Sequence, residues 1–322
     1  MVMKHLTIRN RAISILDDFF KSNRTLKKFL LPSNICYVVP LVLKKNNIHF
    51  KFIDISKKDL NMDKNQIIKN IKKYNGMIWF NTYGNEEKNT NFFKECKLLN
   101  KDFVIINDKC LNEPQIKKSK NCFSDMELYS TGYSKYCDLG YGGFSISKEK
   151  IKFHNTKFLE DDFNKISINI KNSIVSKKKI IDISNNWLKK ELIKDEGNYF
   201  SKIKKSIKKI KLHKSRINQI YDEIIPNEVK LGKKFNLWRY NIYISKNEKL
   251  LKTIFENNLF ASNHYYPSSK IFKSEKKKIT DLLHNNVINL FNDFRYSEDM
   301  AEKTAKLVRN HFLMFGTKNF YE

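Results

Sequence analysis

The sequence predicts an α/β protein in which a large unit built on a mainly parallel sheet precedes a smaller α+β unit. Three observations carry this. In the first half, short apolar runs alternate with longer segments of helical period, as in β-α-β units. From about Lys177 the chain turns to long lysine-rich helical stretches around one apolar run near Leu237. At 322 residues and 41% hydrophobic content it can bury a large core. The large unit is expected over residues 1–180, and a connecting helix with the small unit over 181–322. With no Gly/Ser-rich or Pro-rich linker between them, the two should pack closely.

Taken in order, the apolar runs Lys28 to Leu31, His49 to Ile55, Gly76 to Phe80 and Phe103 to Ile106 read as strands. Asp59 to Tyr74 and Thr90 to Leu99 have helical period and fill the intervals between the later runs. Two short strands follow, Glu127 to Ser130 and Gly143 to Ile146, joined by a polar, glycine-containing loop. In the second half, Phe200, Ile203, Ile207 and Ile210 recur at helical spacing, so the lysines of Lys202 to Lys214 lie on the solvated face of an amphipathic helix. A strand at Leu237 to Ile244 and helices at Glu248 to Asn258 and Ser297 to Phe312 complete the expectation.

The net charge is +28, from 62 basic and 34 acidic residues, which puts nucleic acid among the partners to consider. The excess is almost all lysine, spread along the chain with many asparagines and isoleucines, as A/T-biased codons would produce. No RNP, zinc-finger or helix-turn-helix signature accompanies it, so nucleic acid is not the expected partner. A positive surface would also attract an anionic small-molecule substrate. The five cysteines (Cys36, Cys96, Cys110, Cys122, Cys137) are scattered, with no CxxC pair and no histidine at ligand spacing. They read as reduced thiols, with no metal site. No apolar run approaches the roughly 20 residues of a membrane span, and Met1 to Asn10 lacks the apolar core of a secretory signal, so a cytoplasmic protein is expected.

Open parallel sheets bind ligands beyond the carboxyl ends of their strands. Two candidates fall there. Asp108 follows the strand Phe103 to Ile106 in VIINDKC, where an acid can serve chemistry or simply form a turn. The loop Ser130 to Gly143, STGYSKYCDLGYGG, sets one lysine, Lys135, among hydroxyls and glycines. A solvated side chain is the ordinary alternative for a loop lysine.

Six segments in order resemble the DegT/DnrJ/EryC1/StrS aminotransferases, which have the aspartate aminotransferase-like pyridoxal 5'-phosphate (PLP) transferase fold. They are the PS-turn, helix and strand of Phe29 to Ser56; MIWFNTYGN, which contains Tyr83; VIINDKC; YSTGYSKYCDLGYGGFSIS; NHYYPSS; and VINLFNDFRYSEDMAEKTAKLV. The resemblance implies a PLP enzyme in which Lys135 forms the Schiff base with the cofactor and carries the proton of the amino transfer. Asp108 would hold the ring nitrogen protonated, because only then is the ring an electron sink. Ser130 and the turn Asn10, Arg11, Ala12 would hold the phosphate, Tyr83 would line the cofactor, and His264 and Tyr265 would lie near the substrate. Several positions depart from the family's pattern. Asn10 and Arg11 replace small residues, which offers the phosphate a guanidinium. Cys36 stands where an aromatic often stacks on the ring, Leu111 where Gln or His touches the phenolic oxygen, and Tyr141 where Glu precedes Gly-Gly. Trp238 and Arg239 fall in the expected small-unit strand; plain packing and a substrate carboxylate at Arg239 are both open.

The implied activity is amino transfer from a donor such as glutamate to a nucleotide-linked keto sugar for surface polysaccharide, by a homodimer whose subunits share their sites. A catalytically degenerate member of the fold, acting as partner or scaffold, and a basic nucleic-acid-binding protein are the alternatives.

Overall fold

The computed structural model describes residues 5–87, 89–116, 123–175, 185–317 and 320–321. The expected boundary at 180/181, and Cys122, lie outside the described residues.

The first strand, β1 (His5–Arg9), is not among the expected ones and leads into α1 (Ala12–Ser22). β2 (Lys28–Pro32), α2 (Val38–Lys45), β3 (His49–Ile53), α3 (Lys64–Asn70), β4 (Gly76–Phe80), α4 (Thr90–Leu99) and β5 (Val104–Asp108) then alternate as the apolar pattern requires. β6 (Met126–Ser130) and β7 (Gly143–Ser147) close a seven-stranded sheet in the order β1-β7-β6-β5-β4-β2-β3. The pairs β2/β3, β2/β4, β4/β5 and β5/β6 are parallel; β7 runs antiparallel to both β6 and β1.

Successive side chains of a strand point to opposite faces, and the central strands are apolar on both. Ile78 and Phe80 of β4 join the core that holds Leu16 of α1 and Val42 of α2, whereas Met77 and Trp79 join Phe92 and Phe93 of α4. Continuous apolar runs are what a parallel sheet covered on both faces needs. Helix α3 is shorter than the expected Asp59 to Tyr74: Leu60 takes a left-handed φ of 58°, Met62 bridges to Ile55, and the Asp63 carboxylate caps the helix by accepting from the Asn65 and Gln66 amides.

After α5 (Glu160–Val175), helix α6 (Glu196–Ile224) extends well past the expected lysine-rich stretch at both ends. β8 (Tyr240–Tyr243), α7 (Asn247–Glu256), β9 (Ala261–Ser262), α8 (Ser268–Ile271), α9 (Lys278–His284), β10 (Val287–Leu290) and α10 (Glu298–Phe315) follow. β10 pairs antiparallel with β8 and β9 in a three-stranded sheet packed on α6, α7 and α10 through a core of its own. β8 is shorter than expected, so Trp238 and Arg239 precede it instead of lying within it.

A buried charge cluster fixes where α1 starts. Arg9 Nε donates to Asp18 at 2.8 Å, Lys190 Nζ donates to Asp17 at 3.0 Å and also to Asp18, and Lys45 Nζ reaches Asp17 at 3.1 Å. Burial alone would raise the Asp17 carboxyl, but Lys45, Asn46 and Lys190 together hold it down at about 2. Four parts of the chain, β1, α1, α2 and the segment at 187–191, are tied to one point beneath the turn at Asn10. That segment also pairs with the turn itself: Asn10 N donates to Glu191 O at 3.0 Å and Glu191 N to Asn10 Oδ1 at 3.1 Å.

Candidate active site

The carboxyl ends of β5 and β6 and the start of β7 meet the N-terminus of α1. Asp108 is the last residue of β5, which runs two residues past the expected end at Ile106, and is 5% exposed. Its Oδ1 accepts from Cys110 N at 3.0 Å. Burial pushes the Asp108 carboxyl up, while the Cys110 hydrogen bonds and the Lys135 charge pull against it.

Lys135 comes from the β6–β7 loop and is half-buried. Burial of its ammonium acts to lower its pKa, but Tyr265, Cys110, Cys36 and Asp108 around it outweigh that and raise it. Burial pushes the Tyr265 phenol to about 12 and also raises both thiols. All three are held above their ordinary values, and Asp108 is the one carboxyl among the groups that act on the lysine. The structure thus brings together Lys135, Asp108, Cys36 and Tyr265, residues spread over most of the sequence.

The loop is held on both sides. Ser134, just before Lys135, sits at a left-handed φ of 59°, a conformation that costs an L-residue about 1–2 kcal/mol. Its amide donates to Asp138 Oδ2 at 2.8 Å, and its carbonyl accepts from Trp238 Nε1 at 2.7 Å. Trp238 therefore reaches from the foot of the small sheet to the residue beside Lys135. Its ring lies parallel to Tyr83, with centroids 6.3 Å apart, and to Tyr265, at 6.2 Å. The Tyr83 phenol donates to His264 O at 3.0 Å, so Tyr83 braces the His264–Tyr265 segment against the large sheet.

Ser130 ends β6 opposite Gly143, and its Oγ accepts from Gly132 N at 3.4 Å. Gly142 N donates to Asn10 O at 2.6 Å, and Arg11 bridges to Gly142. A Cβ on Gly143 would stand 2.4 Å from Ala12 N, so only glycine lets β7 start this close to α1. No side chain caps α1; Arg11 precedes its first turn and is exposed. Asn10, Arg11, Ala12 and Ser130 thus surround one helix N-terminus, where backbone amides and the helix dipole favour an anion.

His264 is half-buried, its Nδ1 is buried without a partner, and burial, with Arg239 and Lys135 nearby, pushes it down to about 4. It is a neutral imidazole at physiological pH. Leu111 is 1% exposed and packs in the main core, Cys36 is half-buried beside Lys135 and Asp108, and Tyr141 is exposed. Arg239 is more deeply placed than its sequence position suggested. At 2% exposure its guanidinium lies 4.6 Å from the Trp238 ring centroid and 3.8 Å from that of Phe291, and Nη1 donates to Ser262 Oγ. Burial pushes it down to about 10. The role of Trp238 as a wall beside Lys135 has no signal in the sequence beyond its being one of three tryptophans.

A mainly parallel seven-stranded sheet with one antiparallel strand, followed by a small three-stranded unit, is the PLP-transferase architecture. Among solved structures the chain is similar to a DegT DnrJ EryC1 StrS aminotransferase from Brucella abortus, at 14% identity and TM-score 0.69 over 96% of this chain and 86% of that one. It is similar to PseC of Helicobacter pylori, an aminotransferase of pseudoaminic acid biosynthesis, at 16% identity and TM-score 0.70 over 97% and 88%. DesI, solved in the presence of its TDP-sugar product, matches at 10% identity and TM-score 0.72 over 97% and 83%. These likenesses establish the fold. No family model and no curated protein matches the chain.

Proposed function

We propose that the chain is a PLP-dependent aminotransferase that moves an amino group from a donor such as glutamate to a keto sugar carried on a nucleotide. The observation that carries this is the buried Asp108 carboxylate at a strand end beside Lys135, in a fold shared with sugar aminotransferases.

The donor set fits the cofactor. Lys135 offers the amine for its aldehyde, Asp108 the carboxylate for its ring nitrogen, and Ser130 with the uncapped start of α1 the hydroxyl and amides for its phosphate, with Arg11 adding a charge. When bound, PLP supplies the electron sink that makes the donor's Cα proton labile. The chain's own residues do the rest. Lys135 Nζ holds and returns the proton, which requires that it be neutral at that moment, with the charge balance around it set by Asp108. Tyr265 and Trp238 form an apolar wall that excludes water. Arg239, whose direct contacts are aromatic rings and a hydroxyl, with Asp293 a more distant charge, is suited to the donor's carboxylate.

A nucleotide-linked sugar agrees with the TDP-sugar named for DesI and with the chain's positive charge. Surface polysaccharide synthesis in the cytoplasm and a homodimer with shared sites belong to the same reading. Among the described residues no helix is long and apolar enough to cross a membrane.

Incubation with PLP should give a visible absorption band, and borohydride should fix the cofactor to Lys135 as read by peptide mass spectrometry. A protein that stays colourless, or that gives the same band after Lys135→Ala, sinks the proposal. A band without amino transfer to any nucleotide-linked keto sugar would favour the degenerate alternative, for which the apolar Leu111 in place of a hydrogen-bonding residue is the motive.

A further inference from the structure

Helix α6 buries a stripe through Tyr199, Ile203, Ile217 and Tyr221, and where that stripe calls for another apolar residue the chain has Lys214. Lys214 is 5% exposed, while the other lysines of the helix face outward or lie at its edge. Its Nζ donates to Trp238 O and to Asn292 Oδ1, both at 2.6 Å, and lies 5.3 Å from the centroid of the Tyr136 ring. Both acceptors are neutral oxygens, so the buried ammonium is held without a carboxylate in direct contact, an expensive arrangement for a residue that merely fills space. The three groups it touches come from the entry to β8, the exit of β10 and the loop of Lys135.

We propose that Lys214 is a positioning residue of the candidate active site, fixing the backbone of Trp238 and, through the indole bond to Ser134, the loop that presents Lys135. This rests on the reading of the Lys135 site given above, but the arrangement is visible in Trp238 itself. A charged donor makes the shorter, stronger hydrogen bond, so the grip depends on the charge. Burial pushes Lys214 down to about 7, with Asp293 opposing and Arg239 adding to the shift. The titratable groups around it are Tyr136 from the Lys135 loop, Arg239 before β8, Asp293 after β10, and His213 on α6, whose Nε2 meets Asp293 O at 2.9 Å.

The test is fluorine NMR on the full chain labelled with 5-fluorotryptophan. Its three tryptophans give three resonances, of which Trp238→Phe identifies one. In the unaltered protein the Trp238 resonance should move with a midpoint near pH 7. Lys214→Arg, which stays charged throughout, should hold the resonance at its acid position, and Lys214→Met should keep it away from that position at every pH. A Trp238 resonance that stays still between about pH 6 and 8, or one that still titrates in Lys214→Arg, overturns the inference. Neither reading needs cofactor or turnover, so a protein that fails to load PLP leaves this result intact while sinking the function proposed above. On the loaded protein, any fall of kcat as pH rises through about 7 should be lost in Lys214→Arg, with little change in KM.

Discussion

Trp238 and Tyr265 lie face to face, ring centroids 6.2 Å apart and planes 9° from parallel, although one precedes β8 and the other follows β9. The pair joins the small sheet to the surroundings of Lys135, since the Trp238 indole also donates to Ser134 O at 2.7 Å. Removing the indole N–H alone and removing the whole ring should therefore differ. Trp238→Phe should cost about 0.5–1.5 kcal/mol, the worth of one hydrogen bond. Trp238→Ala should cost about 3–5 kcal/mol from the cavity left between aromatic neighbours. Urea unfolding of both variants checks this; equal losses would mean that the stack contributes nothing beyond the hydrogen bond.

The Asp17 cluster predicts an acid limb in stability. Its folded pKa, about 2, lies below the ordinary 3.8, so the carboxylate stabilises the fold fully above pH 3.8 and loses that contribution as pH falls through about 2. Asp17→Asn should remove this limb and cost about 3–5 kcal/mol near neutrality, because Lys190 and Lys45 are left buried with one acid fewer. Thermal melts across the acid range of both proteins read the difference. An Asp17→Asn protein with the same acid limb would assign it to other carboxylates.

The fold was legible because its signals are local. Apolar runs of β2, β4 and β5 separated by helical periods specify parallel pairing with both faces covered, and their bounds came within a residue or two. β1, β9 and β10 were not found, since these short strands lie beside turns and carry too little periodicity of their own. Helix α3 was overextended because Asp59 to Met62 has helical spacing while its backbone turns at Leu60, where the Ile55–Met62 bridge closes a short loop. For the site, the strand ends pointed to Asp108 and the glycine-containing loop to Lys135. Trp238, Arg239 and Lys214 are placed by contacts between distant segments, which no spacing encodes. Lys214 in particular was expected on the solvated face with the other lysines of Lys202 to Lys214, and its burial in the helix's apolar stripe corrects that expectation.

Asp108 should matter to chemistry more than to folding. In Asp108→Asn the PLP-loaded protein should keep its visible band, held by Lys135 and the phosphate contacts, yet lose amino transfer by about 10²- to 10³-fold, the equivalent of roughly 3–4 kcal/mol of lost charge pairing. Single-turnover reaction with glutamate measures this directly. A variant that turns over like the unaltered protein would remove Asp108 from the ring nitrogen.

Gly143 supplies the sharpest steric test of the phosphate end of the site. A Cβ there would lie 2.4 Å from Ala12 N and 2.5 Å from Ala12 Cα, both backbone atoms that cannot rotate away. Gly143→Ala must push the start of α1 off β7. The overpacking should cost about 1–3 kcal/mol, and because the α1 amides then move away from Ser130, PLP affinity should fall by more than stability does. Gly132→Ala is the control, since its Cβ would meet only Ser130 Oγ at 3.6 Å, an ordinary contact, and should leave stability nearly unchanged. Equilibrium dialysis of PLP against each variant, alongside its melting temperature, separates the two effects. If Gly143→Ala binds PLP as the unaltered protein does, the cofactor's phosphate does not lie at the start of α1.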